Sequence, residues 1–143
     1  MLSIILAAAL ATNSFAPDRA ETAQVETMVR NGVEVEAHAL TWLELIDTRQ
    51  YRESWDRAGP VFQSAVTAEQ WSTQVDNIRK PLGTLVSRQI QVFETSTQLP
   101  GTAVGNYVVM QFKSDFAQRS DKVETIVMSQ LDDEWFVVGY FIR

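Results

Sequence analysis

The chain has 143 residues, 45% hydrophobic and 21% charged, a balance typical of one globular domain and not of a disordered segment. Its formal net charge of −6 argues against a nucleic-acid partner, because an acidic protein repels phosphates. With no cysteine and one histidine, the chain excludes disulfides, thiolate ligands and a zinc site with several imidazoles from one chain. We therefore expect no metal and no cofactor.

The N-terminus has the pattern of an export signal. Residues 2–11 form an apolar run of the length of a signal-peptide core, too short to span a membrane. Small residues allow cleavage after Ala11 or Ala16. We predict a signal peptide over residues 1–16, a polar extension or helix start over 17–34, and export to the periplasm or the medium without a membrane anchor. The alternative is a buried N-terminal helix.

The first long helix is predicted over residues 33–47, after a break at Asn31-Gly32. Apolar residues recur there at the spacing of one helical face. This stripe consists of Val35, Ala39, Trp42, Leu43 and Ile46.

Two shorter helices follow. Residues 51–58 show helical spacing, and Gly59-Pro60 is predicted to stop that helix. The next helix begins at Thr67, which forms a capping box with Gln70, and ends after Lys80.

After Gly83 the apolar period changes to two, which predicts strands. Asp132-Asp133 is predicted to form the tight turn of the last hairpin. In the first strand, Val86, Arg88, Ile90 and Val92 are predicted to share one face. The remaining three strands are expected over residues 106–116, 123–131 and 135–142.

The fourth strand is apolar on both predicted faces. Simple alternation places Val137 with Phe141 on one face, and Val138 with Tyr140 on the other. If helices cover one face, the other needs a partner, and an identical subunit is the simplest. This pattern motivates a homodimer hypothesis.

Several short motifs occur in an order that resembles one bacterial family. They are TWLELID, VTAEQW, PLG, LPG and the terminal GYFIR, spread over roughly residues 35–143. This pattern is similar to the family called domain of unknown function 4019. The resemblance implies one α+β domain over residues 35–143 and implies no activity.

Helices followed by a curved four-stranded antiparallel sheet also resemble the cystatin-like, nuclear transport factor two-like cone fold. That superfamily includes isomerases, dehydratases, small-ligand binders and assembly domains, so the fold does not decide the function. A cone fold implies a pocket between the helices and the concave face of the sheet.

Two residues are weak catalytic candidates. His38 is of the residue type that most often transfers protons, and it lies beside the apolar stripe, where it is either a proton-transfer group or a half-buried structural residue. Asp47 is either a general base or the cap of the following turn.

The candidate ligand-binding residues are Arg79, Arg88, Glu124 and Tyr107. Arg88 interrupts an apolar strand face, and a buried charge there needs a partner. That partner is either Glu124, in a pair that fixes the sheet register, or a ligand carboxylate. Tyr107 is a candidate for bringing a hydroxyl into the pocket.

Three functions therefore remain open. The first is a non-catalytic small-ligand-binding or accessory domain. The second is a structural or interaction homodimer that uses the outer sheet face. The third is an enzyme of the isomerase or lyase kind.

Overall fold

The structure is a computed structural model that describes residues 18–143. One antiparallel sheet with the strand order β1-β2-β3-β4 packs against the helices, which confirms the predicted α+β class. The signal peptide expected over residues 1–16 lies outside the described residues. No helix between residues 18 and 143 is both long and apolar enough to cross a membrane. The elements are α1 (Arg19–Asp47), α2 (Tyr51–Asp56), α3 (Pro60–Ala65), α4 (Ala68–Arg79), a 3-10 turn (Lys80–Leu82), β1 (Leu85–Ser96), β2 (Tyr107–Phe116), β3 (Arg119–Leu131) and β4 (Glu134–Ile142).

Helix α1 is much longer than predicted. It runs for 29 residues, about 43 Å, and the break expected at Asn31-Gly32 is wrong. A glycine inside a helix costs only about 1 kcal/mol relative to alanine, so one Gly does not end a helix. The second half of α1 buries the predicted stripe, whereas residues 18–31 are all exposed.

The connection between α2 and α4 contains a helix that the sequence patterns missed. Pro60 does not merely stop α2; it is the first residue of α3, where its missing N–H is not needed. Gly59 donates its backbone N–H to the carbonyl of Val137 at 2.8 Å, which ties this connection to β4. The capping box of Thr67 and Gln70 at the start of α4 is confirmed, with distances of 3.2 and 3.1 Å.

Irregular pairing in β1 changes the predicted face. Arg88 and Ile90 pair with the buried β2 residues Ser114 and Phe112 and therefore face the helices. A register shift after Ile90 turns Val92 to the opposite side. A second shift precedes Ser87, and Val86 is 70% exposed. The prediction that Val86 and Val92 share the face of Arg88 was wrong.

A register shift in β4 also changes the sheet face on which its side chains lie. The pairing with β3 skips Val138, so Val137 and Tyr140 both face the helices. Phe141 lies on the outer face and is 61% exposed. The predicted grouping of Val137 with Phe141 was wrong, because the alternation of faces does not continue across a bulge.

The tryptophans of the helices are core residues. The ring centroids of Trp42 and Trp71 lie 6.0 Å apart, and that of Tyr140 lies 5.7 Å from Trp42. The indole N–H groups of Trp42 and Trp71 donate to the carbonyl and the hydroxyl of Ser54 at 2.8 and 2.9 Å. Since the polar atoms of both indoles are bonded within the core, these rings are unsuited to forming a ligand cage.

Candidate functional site

Four charged side chains meet between the helices and one end of the sheet. This ion cluster consists of Asp47 at the end of α1, Arg79 at the end of α4, Arg88 on β1 and Glu124 on β3. Arg88 bridges both carboxylates: two of its nitrogens lie 2.7 and 2.9 Å from Asp47, and Nε lies 2.8 Å from Glu124. The Arg88–Glu124 pair considered from the strand pattern is therefore present, and Asp47 joins it.

Arg79 closes the ion cluster from the helix side. Its Nη2 lies 2.7 Å from Asp47 Oδ1, and its Nη1 lies 3.5 Å from Glu124 Oε2. The guanidinium carbon stands 4.6 Å from the centre of the Phe116 ring, a cation–π distance. The Nε of Arg79 is buried and has no hydrogen-bond partner among the described residues.

Neutral groups complete the bonding of Glu124, which has 0% exposure. The hydroxyls of Ser114 and Tyr140 each donate to Glu124 at 2.6 Å, one to each oxygen. All four carboxylate oxygens of the cluster thus accept bonds from side chains of the protein. Two positive and two negative charges compensate each other, which is what burying them requires.

The pKa shifts agree with this bonding. Burial by itself raises the pKa of Asp47, but the hydrogen bonds and charges of Arg88 and Arg79 outweigh burial and hold that pKa below its ordinary value. Burial, with the negative charge of Glu124, raises the pKa of Tyr140 well above its ordinary value. Asp47 is therefore a carboxylate at neutral pH and Tyr140 keeps its proton.

The other end of the sheet is open. A cleft of about 890 Å³ lies between the first half of α1 and the strand ends that hold Phe93, Tyr107 and Trp135. Because the strands are antiparallel, the end of β1, the start of β2, the end of β3 and the start of β4 all meet here. Ser114, at the other end, lies seven positions after Tyr107 in β2, about 24 Å along the strand. We call this space the open cleft.

Some polar groups of the open cleft form hydrogen bonds with other described residues of the protein, and others do not. Asn106 Nδ2 donates to Gln130 Oε1 at 2.9 Å. The Tyr107 hydroxyl donates to the carbonyl of Ala103 at 2.8 Å. Glu34 on α1 and Asp133 in the last hairpin also line the cleft. Neither carboxylate makes a side-chain hydrogen bond or ion pair within residues 18–143.

The candidate residues fall at three separate places. Arg79, Arg88 and Glu124 bind one another and Asp47, away from the open cleft, whereas Tyr107 lines it. The other catalytic candidate, His38, is an exposed residue beside a small pocket of about 100 Å³ and lies nine residues before Asp47 on the same helix. The structure therefore does not bring His38 and Asp47 together, since nine helical residues span about 13 Å.

Sequence reasoning missed most of the open cleft. Strict alternation gives no reason to place Phe93 toward the helices, since only the register shift after Ile90 puts it there. Asn106 and Asp133 carried a usable signal, because both stand next to predicted turns and turns at the same end of an antiparallel sheet are neighbours. Within the described residues, no three His, Asp or Glu side chains are grouped to hold a metal ion.

Comparison with known proteins identifies a family and no activity. Residues 38–140, more than half of the chain, match the family described as "Protein of unknown function (DUF4019)". No curated protein matches the chain. No solved structure matches it either, and the expected likeness to the cystatin-like cone fold stays a prediction. By the extent of the family match, this chain belongs to the DUF4019 family of proteins of unknown function.

Proposed function

We propose that this chain is a non-catalytic domain that binds a small molecule in the open cleft. The observation that carries the proposal is the cleft itself. Its volume of about 890 Å³ falls within the range of ligand sites, about 300–1,000 Å³. Its lining combines apolar and aromatic side chains with polar ones in about equal number, so it can offer a ligand both apolar contact and hydrogen bonds.

The contacts of the catalytic candidates favour binding over catalysis. A carboxylate that acts as a general base near neutral pH needs a raised pKa, whereas two arginines lower the pKa of Asp47. His38 lies outside the open cleft and makes no side-chain hydrogen bond to the described residues. The space beside His38, about 100 Å³, is also smaller than the usual range of ligand sites.

Gly32 provides a way to close the cleft without disturbing the fold. It lines the cleft on α1, and a Cβ added there would meet only the Phe93 ring, at 3.8 Å. Gly32→Trp should fill the space, and the helix tolerates the change because most residues are better helix formers than glycine. Ala37→Trp is the matched control, since Ala37 is exposed on the same helix and does not line the cleft.

The test begins with native mass spectra of the protein purified gently from its own source. We expect a retained small molecule with the parent chain and with Ala37→Trp, and none with Gly32→Trp. For a ligand that dissociates during purification, binding of a fragment library is measured by NMR shifts, and the same two tryptophan variants are compared. Fragment shifts that are equal in the two tryptophan variants, or no binding at all, would contradict the proposal.

The outer face of the sheet supports a second function, self-association. Phe141 is 61% exposed there, and its ring lies over Gly139, with 3.2 Å between the ring and the position of an added Cβ. We propose a homodimer through this face.

Light scattering at micromolar concentration should give twice the chain mass, and Phe141→Ser should lower the measured mass to that of the monomer. Val104→Ser, a change at a 78% exposed loop residue, is the control. A monomeric parent protein would rule the homodimer out.

We also propose that the chain is exported, on the pattern of residues 2–11. An intact mass of the secreted or periplasmic protein should correspond to cleavage after Ala11 or Ala16. A chain that keeps Met1 and stays in the cytoplasm would overturn this proposal.

A further inference from the structure

We propose that the ligand of the open cleft is an organic cation, an ammonium group carried on an apolar body. This inference rests on the proposed binding function and adds the chemical class of the ligand. Its basis is the combination of charge and aromatic surface in the cleft.

The charge that lines the cleft has one sign. Glu34 and Asp133 are acidic, and none of the described lining residues is Lys, Arg or His. The two carboxylates come from different elements, α1 and the β3–β4 hairpin, so they approach the space from separate directions. In the ion cluster, by contrast, every carboxylate has a guanidinium partner within 3 Å. The unmatched charge of the cleft attracts a cation from outside.

The hairpin fixes the backbone that carries one of these carboxylates. Asp132 and Asp133 both have positive φ, 49° and 65°, as the two central residues of a type I′ turn do. The backbone that carries Asp133 is therefore held by the pairing of β3 with β4. A carboxylate on a fixed backbone loses less freedom when it binds a ligand.

Aromatic rings supply the second requirement of a cation site. Phe93, Tyr107 and Trp135 line the same space. The Tyr107 side chain is only 9% exposed and its hydroxyl is bonded to Ala103, so Phe93 and Trp135 supply the aromatic surface for a ligand. Aromatic faces attract ammonium groups through the negative charge of the π-system and also pack against an apolar body.

The same observations disfavour an anionic ligand. The arginines expected to hold a ligand carboxylate, Arg79 and Arg88, are bound to Asp47 and Glu124 and do not line the cleft. A net charge of −6 for the whole chain adds to the repulsion of anions. The cleft therefore distinguishes ligands by the sign of their charge.

The test uses three probes of one shape. They are 3-phenylpropyl-trimethylammonium, its neutral isostere in which carbon replaces the charged nitrogen, and the anion 4-phenylbutyrate. Binding is followed by NMR shifts at two salt concentrations. We expect the cation to bind about tenfold more tightly than the neutral isostere, and its affinity to fall as salt screens the charges.

Charge-removing variants identify the carboxylates responsible. Glu34→Gln with Asp133→Asn should weaken binding of the cation about tenfold and leave the neutral isostere unchanged. Glu44→Gln with Asp132→Asn is the matched control, because it removes the same charge from exposed positions that do not line the cleft. The control should bind the cation as the parent protein does.

The failures of the two proposals are distinguishable. Neutral or anionic probes that bind as tightly as the cation, and that Gly32→Trp blocks, would overturn the cation proposal and support small-molecule binding. Cation binding that survives loss of both Glu34 and Asp133 would also overturn it. If no probe binds, the cation proposal fails, and the binding proposal is then decided by the comparison of Gly32→Trp with Ala37→Trp.

Discussion

The ion cluster and the open cleft lie at opposite ends of the helix–sheet interface. They differ in how many of their polar groups are already bound to other residues of the protein. In the ion cluster, all four carboxylate oxygens accept bonds from side chains. In the open cleft, the carboxylates of Glu34 and Asp133 have no side-chain partner within residues 18–143. The ion cluster, which contains more charged groups, is therefore the structural end. Among the described residues, the open cleft has carboxylates that are still free to bind a ligand.

This difference teaches how to interpret a charge on an apolar strand face. Arg88 attracts attention in the sequence because burying a lone guanidinium is very costly. Asp47 and Glu124 offset this cost, and all three guanidinium nitrogens of Arg88 bind these two carboxylates instead of a ligand. A charge that sequence patterns single out must therefore be interpreted from the partners that it has in the fold.

The largest expected effect is at the ion cluster. Arg88→Met removes the guanidinium that bridges two buried carboxylates, and we expect the free energy of unfolding in urea to fall by about 3–5 kcal/mol. Arg57→Met is the matched control, because Arg57 Nε lies 2.7 Å from Glu53 on the exposed surface. Loss of that pair should cost less than about 1 kcal/mol.

The Arg88 result also tests the comparison of the two ends. Ligand binding in the open cleft should survive in Arg88→Met wherever the protein remains folded. Unchanged stability together with lost ligand binding would reverse the roles that we assign to the two ends.

The next effect concerns pH. Because the folded-state pKa of Asp47 is lowered, its stabilisation is present above the unfolded-state value of about 4 and is lost as the pH falls through the lower folded-state pKa. Asp47→Asn should cost about 1.5–3 kcal/mol at pH 7, and the difference from the parent protein should shrink towards pH 2.

Urea midpoints of the parent and of Asp47→Asn at a series of pH values measure this loss. Asp56→Asn is the control, since Asp56 belongs to an exposed pair at 3.5 Å. A difference between Asp47→Asn and the parent that does not change with pH would show that the carboxylate charge does not stabilise the fold.

The smallest effect is at the open end. Gly32→Ala should stabilise the protein by about 0.5–1 kcal/mol, since α1 is helical at Gly32 and an added Cβ has room. Gly83→Ala should destabilise it, because Gly83 has a φ of 79°, which a residue with a Cβ rarely adopts. Thermal unfolding midpoints compare the two. Destabilisation by Gly32→Ala would show that the first half of α1 is strained or packed in a way that the cleft does not allow.

The local features of the fold were predictable where neighbours in sequence decide them. The buried stripe of α1, the capping box at Thr67 and the turn at Asp132-Asp133 were all predicted correctly. Errors arose at residues whose type is compatible with two different local structures. Pro60 both ends α2 and begins α3, and Gly32 weakens a helix without breaking it.

The candidate site was predictable only in part. The sequence suggested a pair of Arg88 with Glu124, and the pair exists, although β2 lies between their two strands. It gave no means of finding Asp47 as the shared partner, because no local pattern relates the end of a helix to a strand face. The open cleft was also missed, since it is built from the middle of α1 and the ends of four strands, which are distant in sequence.

The sequence alone was enough to predict three of the four α-helices, all four strands and their order, because helical and strand periodicity come from interactions between residues a few positions apart. Only the tertiary structure decided which side chains face one another. The register shifts in β1 and β4 arise from pairing with the neighbouring strands, and they turn Phe93 and Tyr140 toward the helices. The partners of a buried charge are likewise set by distant residues, which is why folding placed the arginines in the core and left the cleft acidic.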